Sequence, residues 1–444
     1  MDRDLTRGPV MASMMGFAVP MILGNLLQQC YNIADTLIVG KFLGSHALAA
    51  VGSSFTLMTF LTSILLGLCM GSGAVFSIRF GQKDEKGLKE SICASFALVA
   101  GFTLLLNISA FLCLDSIRMF LQVPDEVWGL MREYLFVIFC GIAASFLYNY
   151  FAAFLRAIGN SVAPLIFLAI SAVLNIILDL CFVLWLKRGA AGAAEATVIA
   201  QYISGVGIAG YTLHKCPQFQ GIWKHWRLCK SSIKEIAGFS VLTCVQQSVM
   251  NLGILMVQGL VNSFGPAIMA AFAAAVKIDA FAYMPVQDFG NAFSTFIAQN
   301  YGAKEEQRIK SGLKGAVICS MGFCIVISAA VCIFARPLME IFVDAGEALI
   351  IQEGVRYLRI EGVFYVGIGC LFLLYGLYRA LGRPGMSVAL TVISLGTRVL
   401  LAYLLSAVPS VGVVGIWWAI PIGWFLADAA GIVYYIRKKE LLLG

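Results

Sequence analysis

The chain has 444 residues, of which 60% are hydrophobic and only 12% charged, with a formal net charge of +7. A soluble globular domain sits near half apolar and a quarter charged, so this balance excludes one and points to a polytopic membrane protein. The positive charge is explained by basic loops and calls for no nucleic-acid partner, and the 13 scattered cysteines, without a CxxC pair, argue against a metal cluster or a disulfide framework.

The opening MDRDLTRGPVMASMM lacks a signal-peptide cleavage pattern, so the first apolar stretch is expected to stay as a helix. Twelve long apolar stretches follow, at roughly 14–40, 47–78, 90–114, 128–155, 161–186, 192–213, 233–262, 267–299, 311–335, 350–379, 385–407 and 411–436. None alternates like a strand of a transmembrane barrel. The expected fold class is therefore all-α, with twelve transmembrane helices, numbered here as spans 1 to 12. Span 1 contains Asp35, within the stretch Phe17–Val39, and span 5 contains Asp179, within the stretch Ser171–Leu186. An acid at that depth costs on the order of 2.5–3.5 kcal/mol to insert and usually faces a cavity or a partner. Two of them suggest a proton or cation pathway.

The most hydrophilic long connection, His214–Glu235, reads as a basic linker between a first lobe, 1–221, and a second, 222–444. With the N-terminus inside, about two thirds of the 31 Lys and Arg fall on inner segments. Both termini are thus expected in the cytoplasm, with the chain in a bacterial cell membrane and in contact with its lipid.

An internal repeat organises the chain. LGSHALAAV (Leu43–Val51) returns as FGPAIMAAF (Phe264–Phe272), and FGQKDEKGLK (Phe80–Lys89) as YGAKEEQRIK (Tyr301–Lys310), both at an offset of 221. FLRAIG (Phe154–Gly159) pairs with LYRALG (Leu377–Gly382), and GAAGAAEA (Gly189–Ala196) with GVVGIWWA (Gly412–Ala419), at 223. Each half holds six spans, an even number, so both enter from the same face. Two pseudo-symmetric six-helix bundles related by an axis along the membrane normal are expected, an arrangement used for alternating access around a midplane site.

The duplicated FG-x-K-[DE]-E loop, the [LF]-x-R-A-[IL]-G motif closing spans 4 and 10, and the G-x-x-G opening spans 6 and 12 resemble the multidrug and toxic compound extrusion (MATE) transporters over essentially the whole chain. The resemblance implies a V-shaped central cavity between the bundles and export of organic cations against H⁺ or Na⁺. The residues themselves allow such a site. Tyr31 and Asp35 are four apart and share one face of span 1, as do Asn175 and Asp179 on span 5, and Thr197 lies early in span 6. Two nearby carboxyls resist joint ionisation and can share one proton. The family's first-lobe proton site has this pattern, so Tyr31, Asp35, Asn175, Asp179 and Thr197 carry over to it. By the repeat, Asp35 faces Met256, Asn175 faces Arg398 and Asp179 faces Ala402, so the acids look like an addition to one lobe. Pro20, about four turns before Asp35, makes a weak point in span 1 and a candidate hinge.

The second lobe carries Lys277, Asp279 and Asp288 on span 8, Glu361 on span 10, Arg398 on span 11 and Asp428 on span 12. Lys277 is expected to pair with an acid or to snorkel, and Glu361 is a candidate second cation ligand. Sodium-coupled MATE relatives use an acid on span 7, and Val241–Val261 has none, which favours proton coupling. Glu195 is expected on the outer rim. An enzyme is not expected: His46, His214 and His225 lie at or near loops, neither HExxH nor G-x-S-x-G occurs, and the glycines of GLCMGSG (Gly67–Gly73) lack the lysine of a P-loop and read as helix contacts. The expected function is export of small, mainly cationic organic compounds in exchange for protons, by a monomer without a cofactor or bound metal. The alternatives are a Na⁺-coupled MATE antiporter and a lipid-linked saccharide flippase of similar architecture.

Overall fold

The computed structural model describes residues 4–121, 125–220, 222 and 229–443. His225 and residues 221 and 223–228, and with them one side of the expected lobe boundary, lie outside the described residues. The described residues form helices and contain no strand. In chain order the α-helices are α1 (Val10–Leu43), α2 (Ser45–Gly81), α3 (Glu85–Leu112), α4 (Leu114–Leu121), α5 (Asp125–Cys140), α6 (Ile142–Ala157), α7 (Val162–Leu180) and α8 (Gly189–Lys215). They continue as α9 (Lys230–Asn262), α10 (Pro266–Gly302), α11 (Glu306–Glu340), α12 (Ala348–Gly362), α13 (Tyr365–Ala380), α14 (Pro384–Ser406) and α15 (Val414–Leu443).

Ten of the helical stretches are long and apolar enough to cross a bilayer. Two bent pairs, α5 with α6 at 42° and α12 with α13 at 52°, bring the crossings to twelve. These pairs are spans 4 and 10. Their second segments start at Ile142 and Tyr365, the repeat offset of 223 apart, so the two bends are one feature used twice.

The duplicated motifs prove to be helix terminations. Positive φ occurs at Gly44 (84°) and Gly265 (100°), at Lys83 (56°) and Lys304 (59°), at Gly159 (88°) and Gly382 (74°), and at Gly189 (61°) and Gly412 (55°). Every pair obeys the repeat. A left-handed residue ends one helix and redirects the chain into the next, and glycine takes that conformation without a Cβ clash. In the first loop Asp84 adds a cap, its carboxylate accepting from Gly87 N at 2.9 Å.

By packing, the chain groups into two units, Val19–Cys244 and Leu5–Ala18 with Val245–Gly444. The change falls inside α9, beyond the basic linker, and also inside α1. In the first unit α9 lies against glycines of α2. A Cβ on Gly67 would sit 2.5 Å from Cys244 Cα, and one on Gly71 2.5 Å from Ser240 Cα. Ser72 Oγ and Ser240 Oγ are hydrogen-bonded at 2.9 Å along the same seam. Close backbone approach through small residues is how helices associate in lipid, where burying apolar surface gives little. In the second unit, Leu5 N donates to Gln299 Oε1 at 3.1 Å. Arg308 donates to the carbonyls of Leu5 at 3.0 Å, Arg7 at 3.2 Å and Gly8 at 2.8 Å.

Candidate functional site

In the first unit, four helices bring polar side chains to one place: Tyr31 and Asp35 from α1, Tyr134 from α5, Asn175 and Asp179 from α7, and Thr197 from α8. The spacing of four on α1 and on α7 keeps each pair on one face. Asn175 Nδ2 donates to Thr197 Oγ1 at 3.2 Å, and that hydroxyl donates onward to Ala193 O at 3.0 Å. Immediately after Asp179 the helix loosens into a π-helical turn, Cys181–Trp185, with Leu186 N reaching Cys181 O at 3.0 Å. Such turns often mark functional positions.

The acids are the anomaly of this cluster. Asp179 is 0% exposed and Asn175 2%. Among the described residues no donor reaches Asp35 Oδ1, either oxygen of Asp179, or Asn175 Oδ1. Asp35 and Asp179 lie within hydrogen-bonding reach of each other, so a bond forms between them only if one carries a proton. With both ionised, two negative charges would face one another inside an apolar span with no cation beside them among the described residues. One shared proton removes the repulsion and makes the bond. Chemically, such a pair can hold one proton between its carboxyls or take a cation in the proton's place.

Tyr134 was not among the residues singled out from the sequence. It is 7% exposed and stands beside Asp35, Asp179 and Tyr31. A tyrosine in an apolar span is ordinary, so only the structure marks this one.

The second unit has a cluster of its own. Tyr365 OH donates to Asp279 Oδ1 at 2.5 Å, and Tyr357 OH to Asp279 Oδ2 at 3.4 Å. Glu361 stands beside Asp279 and is 1% exposed, with Oε1 unpartnered among the described residues. The positive charge of Arg398 is close enough to act on both acids, although its Nε finds no acceptor among the described residues. Tyr357 is the repeat partner of Tyr134, and Arg398 that of Asn175, both at 223. The two clusters thus occupy equivalent places, with acids supplied by α1 and α7 in one unit and by α10 and α12 in the other. The acids at Asp35 and Asp179 are not duplicated in sequence, yet neither unit lacks a carboxyl pair.

Lys277 does not join this group. It is two residues from Asp279, about 200° around α10, and its side chain is exposed without an ion pair among the described residues. Asp428 also stands apart, close to Cys370. Glu195 pairs with Arg188 at 2.8 Å near the start of α8. Pro20 lies within an unbroken α1, directly after the point where that helix passes from the second unit's packing to the first's at Ala18 and Val19.

The MatE family model matches the chain twice, over residues 20–181 and 241–404. A probable multidrug resistance protein of Bacillus subtilis strain 168, YpnP, is 29% identical over 435 residues, covering 97% of this chain and 96% of its own length. The multidrug export protein MepA of Staphylococcus haemolyticus is 24% identical, covering 97% and 94%. A solved multidrug resistance MATE family transporter of the MOP superfamily, in an outward-facing conformation, superposes with a TM-score of 0.92 at 22% identity, covering 99% of this chain and 98% of that one. With one family match in each half and the same fold across both, the chain belongs to the MATE family: it is a multi-pass membrane transporter, not an enzyme.

Proposed function

We propose that this transporter exports organic, mainly cationic compounds in exchange for protons, working as a monomer in the cell membrane with both termini in the cytoplasm. The multidrug names of its relatives support the substrate class, and the bias of Lys and Arg toward inner segments supports the orientation. The observation that carries proton coupling is the donor-starved pair Asp35–Asp179. When the pair holds a proton it is neutral. When the proton leaves, the negative charge favours an organic cation, so the two ligands exclude one another. Asn175, held by Thr197, and the two tyrosines are the polar groups placed to orient the carboxyls.

Exchange becomes transport when each ligand favours a different conformation, and a ligand shifts such an equilibrium only by its differential affinity. Pro20 is the proposed hinge. It has no N–H to donate, and the helix changes packing partners just before it, between Ala18 and Val19.

A second reading is coupling to Na⁺ at Asp279 and Glu361, where two carboxyls and two tyrosine hydroxyls converge in the second unit. Proteoliposomes loaded with ethidium separate the two. An imposed pH gradient without sodium should drive ethidium movement, and a sodium gradient at equal pH should not. Movement under sodium alone overturns the proton reading, and movement under neither overturns export of this substrate class.

A further inference from the structure

One cavity of the second unit belongs to neither carboxylate cluster. It is open, holds about 710 Å³, and lies between the last turns of α11 and one face of α12. Its position along the bundle follows from α11 itself. Arg308, which clasps the Leu5–Gly8 segment, and Arg336, which lines the cavity, are on the same continuous helix. At 1.5 Å per residue they are about 42 Å apart, more than the hydrocarbon thickness of roughly 30 Å. The cavity therefore sits at the membrane boundary opposite the N-terminal segment.

Its walls are mostly apolar, with three arginines set into them. Ile351, Val355 and Arg359 are spaced by four along α12, and Ile360, Arg356, Arg336, Gln352 and two alanines complete the lining. Arg336 Nε pairs with Glu340 at 2.9 Å and Arg356 Nη1 with Glu353 at 3.2 Å. Arg336 and Arg356 are thus each ion-paired, whereas Arg359 makes no ion pair among the described residues. Beside the cavity α11 is bare. Only 17% of its most apolar window is buried, and Ile333 and Phe334 near its end are exposed. In a membrane those side chains meet acyl chains.

We propose that this cavity binds an anionic phospholipid, its phosphate taken by Arg359 together with the outward N–H groups of Arg336 and Arg356, and its acyl chains running along α11. The guanidinium fork matches phosphate oxygens in pairs. A free anion would leave the half-buried Val355 and Ile360 uncovered, and a zwitterionic lipid would bring its own cation toward Arg359. The inference rests on the membrane-spanning fold and not on the nature of the coupling ion.

The test uses the purified full-length chain in detergent, with short-chain phosphatidylglycerol, short-chain phosphatidylcholine and inorganic phosphate as separate ligands, followed by thermal stability and native mass spectrometry. Phosphatidylglycerol should bind and stabilise, with little effect of the other two. Arg359→Ala should weaken it about tenfold, as expected for losing one charge-assisted contact, and Arg359→Lys less. Arg359 is exposed, so the fold should tolerate both changes, and Arg359→Gln provides a third variant if one of them fails to express. Equal binding of phosphatidylglycerol by wild type and the Arg359 variants overturns the proposal. Equal stabilisation by phosphatidylcholine also overturns it, as does stabilisation by phosphate alone that matches the lipid.

Discussion

Replacing Asp179 by asparagine should uncouple transport without harming the fold. The Asp179 carboxyl is fully buried and, among the described residues, no donor other than a proton shared with Asp35 reaches its oxygens, so the native structure gains little from its charge. An ionised carboxylate in a span costs about 2.5–3.5 kcal/mol, a term the neutral amide avoids. The amide also has a donor to offer Asp35. Asp179→Asn should therefore melt at or above the wild-type temperature. Its effect on coupling follows from the stoichiometry of the pair. Two carboxyls that share one proton exchange one proton per cycle, and one pH unit then supplies about 1.4 kcal/mol. Against a singly charged drug that is about a tenfold concentration ratio per pH unit. The assay is steady-state ethidium distribution in proteoliposomes over pH differences from zero to two units. Wild type should show the tenfold-per-unit slope and Asp179→Asn none. A variant that retains the slope would refute the site. A wild-type slope near a hundredfold per unit would instead demand a second proton, which Asp279 and Glu361 are placed to carry.

Gly71→Leu should lower stability by about 1–3 kcal/mol or more, because its Cβ would meet backbone at Ser240 and Phe239 and no flexible side chain can yield. Gly101→Ala, with nothing within 4 Å, is the neutral control, and melting in detergent compares the two. Tyr365→Phe should cost about 1–3 kcal/mol by leaving Asp279 Oδ1 without its 2.5 Å donor, while ethidium exchange through the first unit persists. A variant as stable as wild type would show that this bond is not made. Arg308→Ala should speed amide hydrogen exchange at Leu5, whose N–H bonds Gln299, with Arg308→Lys closer to wild type. Unchanged exchange would mean that the arginine does not hold the segment.

The sequence exposes the repeat because its motifs sit where the backbone has few choices. Gly44 and Gly265, or Gly159 and Gly382, survive in both halves as residues able to turn left-handed at a helix end. Asp35 and Asp179 are legible for a different reason, since an acid is rare and costly in an apolar span. Tyr134 carries no such signal, and only its place beside Asp35 and Asp179, matched by Tyr357 beside Asp279, marks it. Asp279, Glu361 and Arg398 are visible one by one as polar oddities, but their meeting depends on the rotation of α10, α12 and α14 about their axes. Composition does not encode that rotation. The same limit separates the basic linker from the division seen in packing. Polar residues mark where chain leaves the membrane, whereas Gly67 and Gly71 decide where α9 changes partners.

The sharing of α1 and α9 between units bears on how such a chain can be cut and how it arose. Residues 5–18 come from the first repeat and pack with the second unit, while 230–244 come from the second repeat and pack with the first. A fragment holding only the first repeat would bare Leu5, Met14, Phe17 and Ala18, all fully buried in the whole chain, and would leave the α2 glycine seam unfilled. Separately expressed halves should thus be poor folders alone and recover only when produced together. A single-repeat ancestor would have met the same requirement as a domain-swapped dimer, each copy lending its leading helical segment to the other, and gene fusion would have turned that exchange into a covalent one.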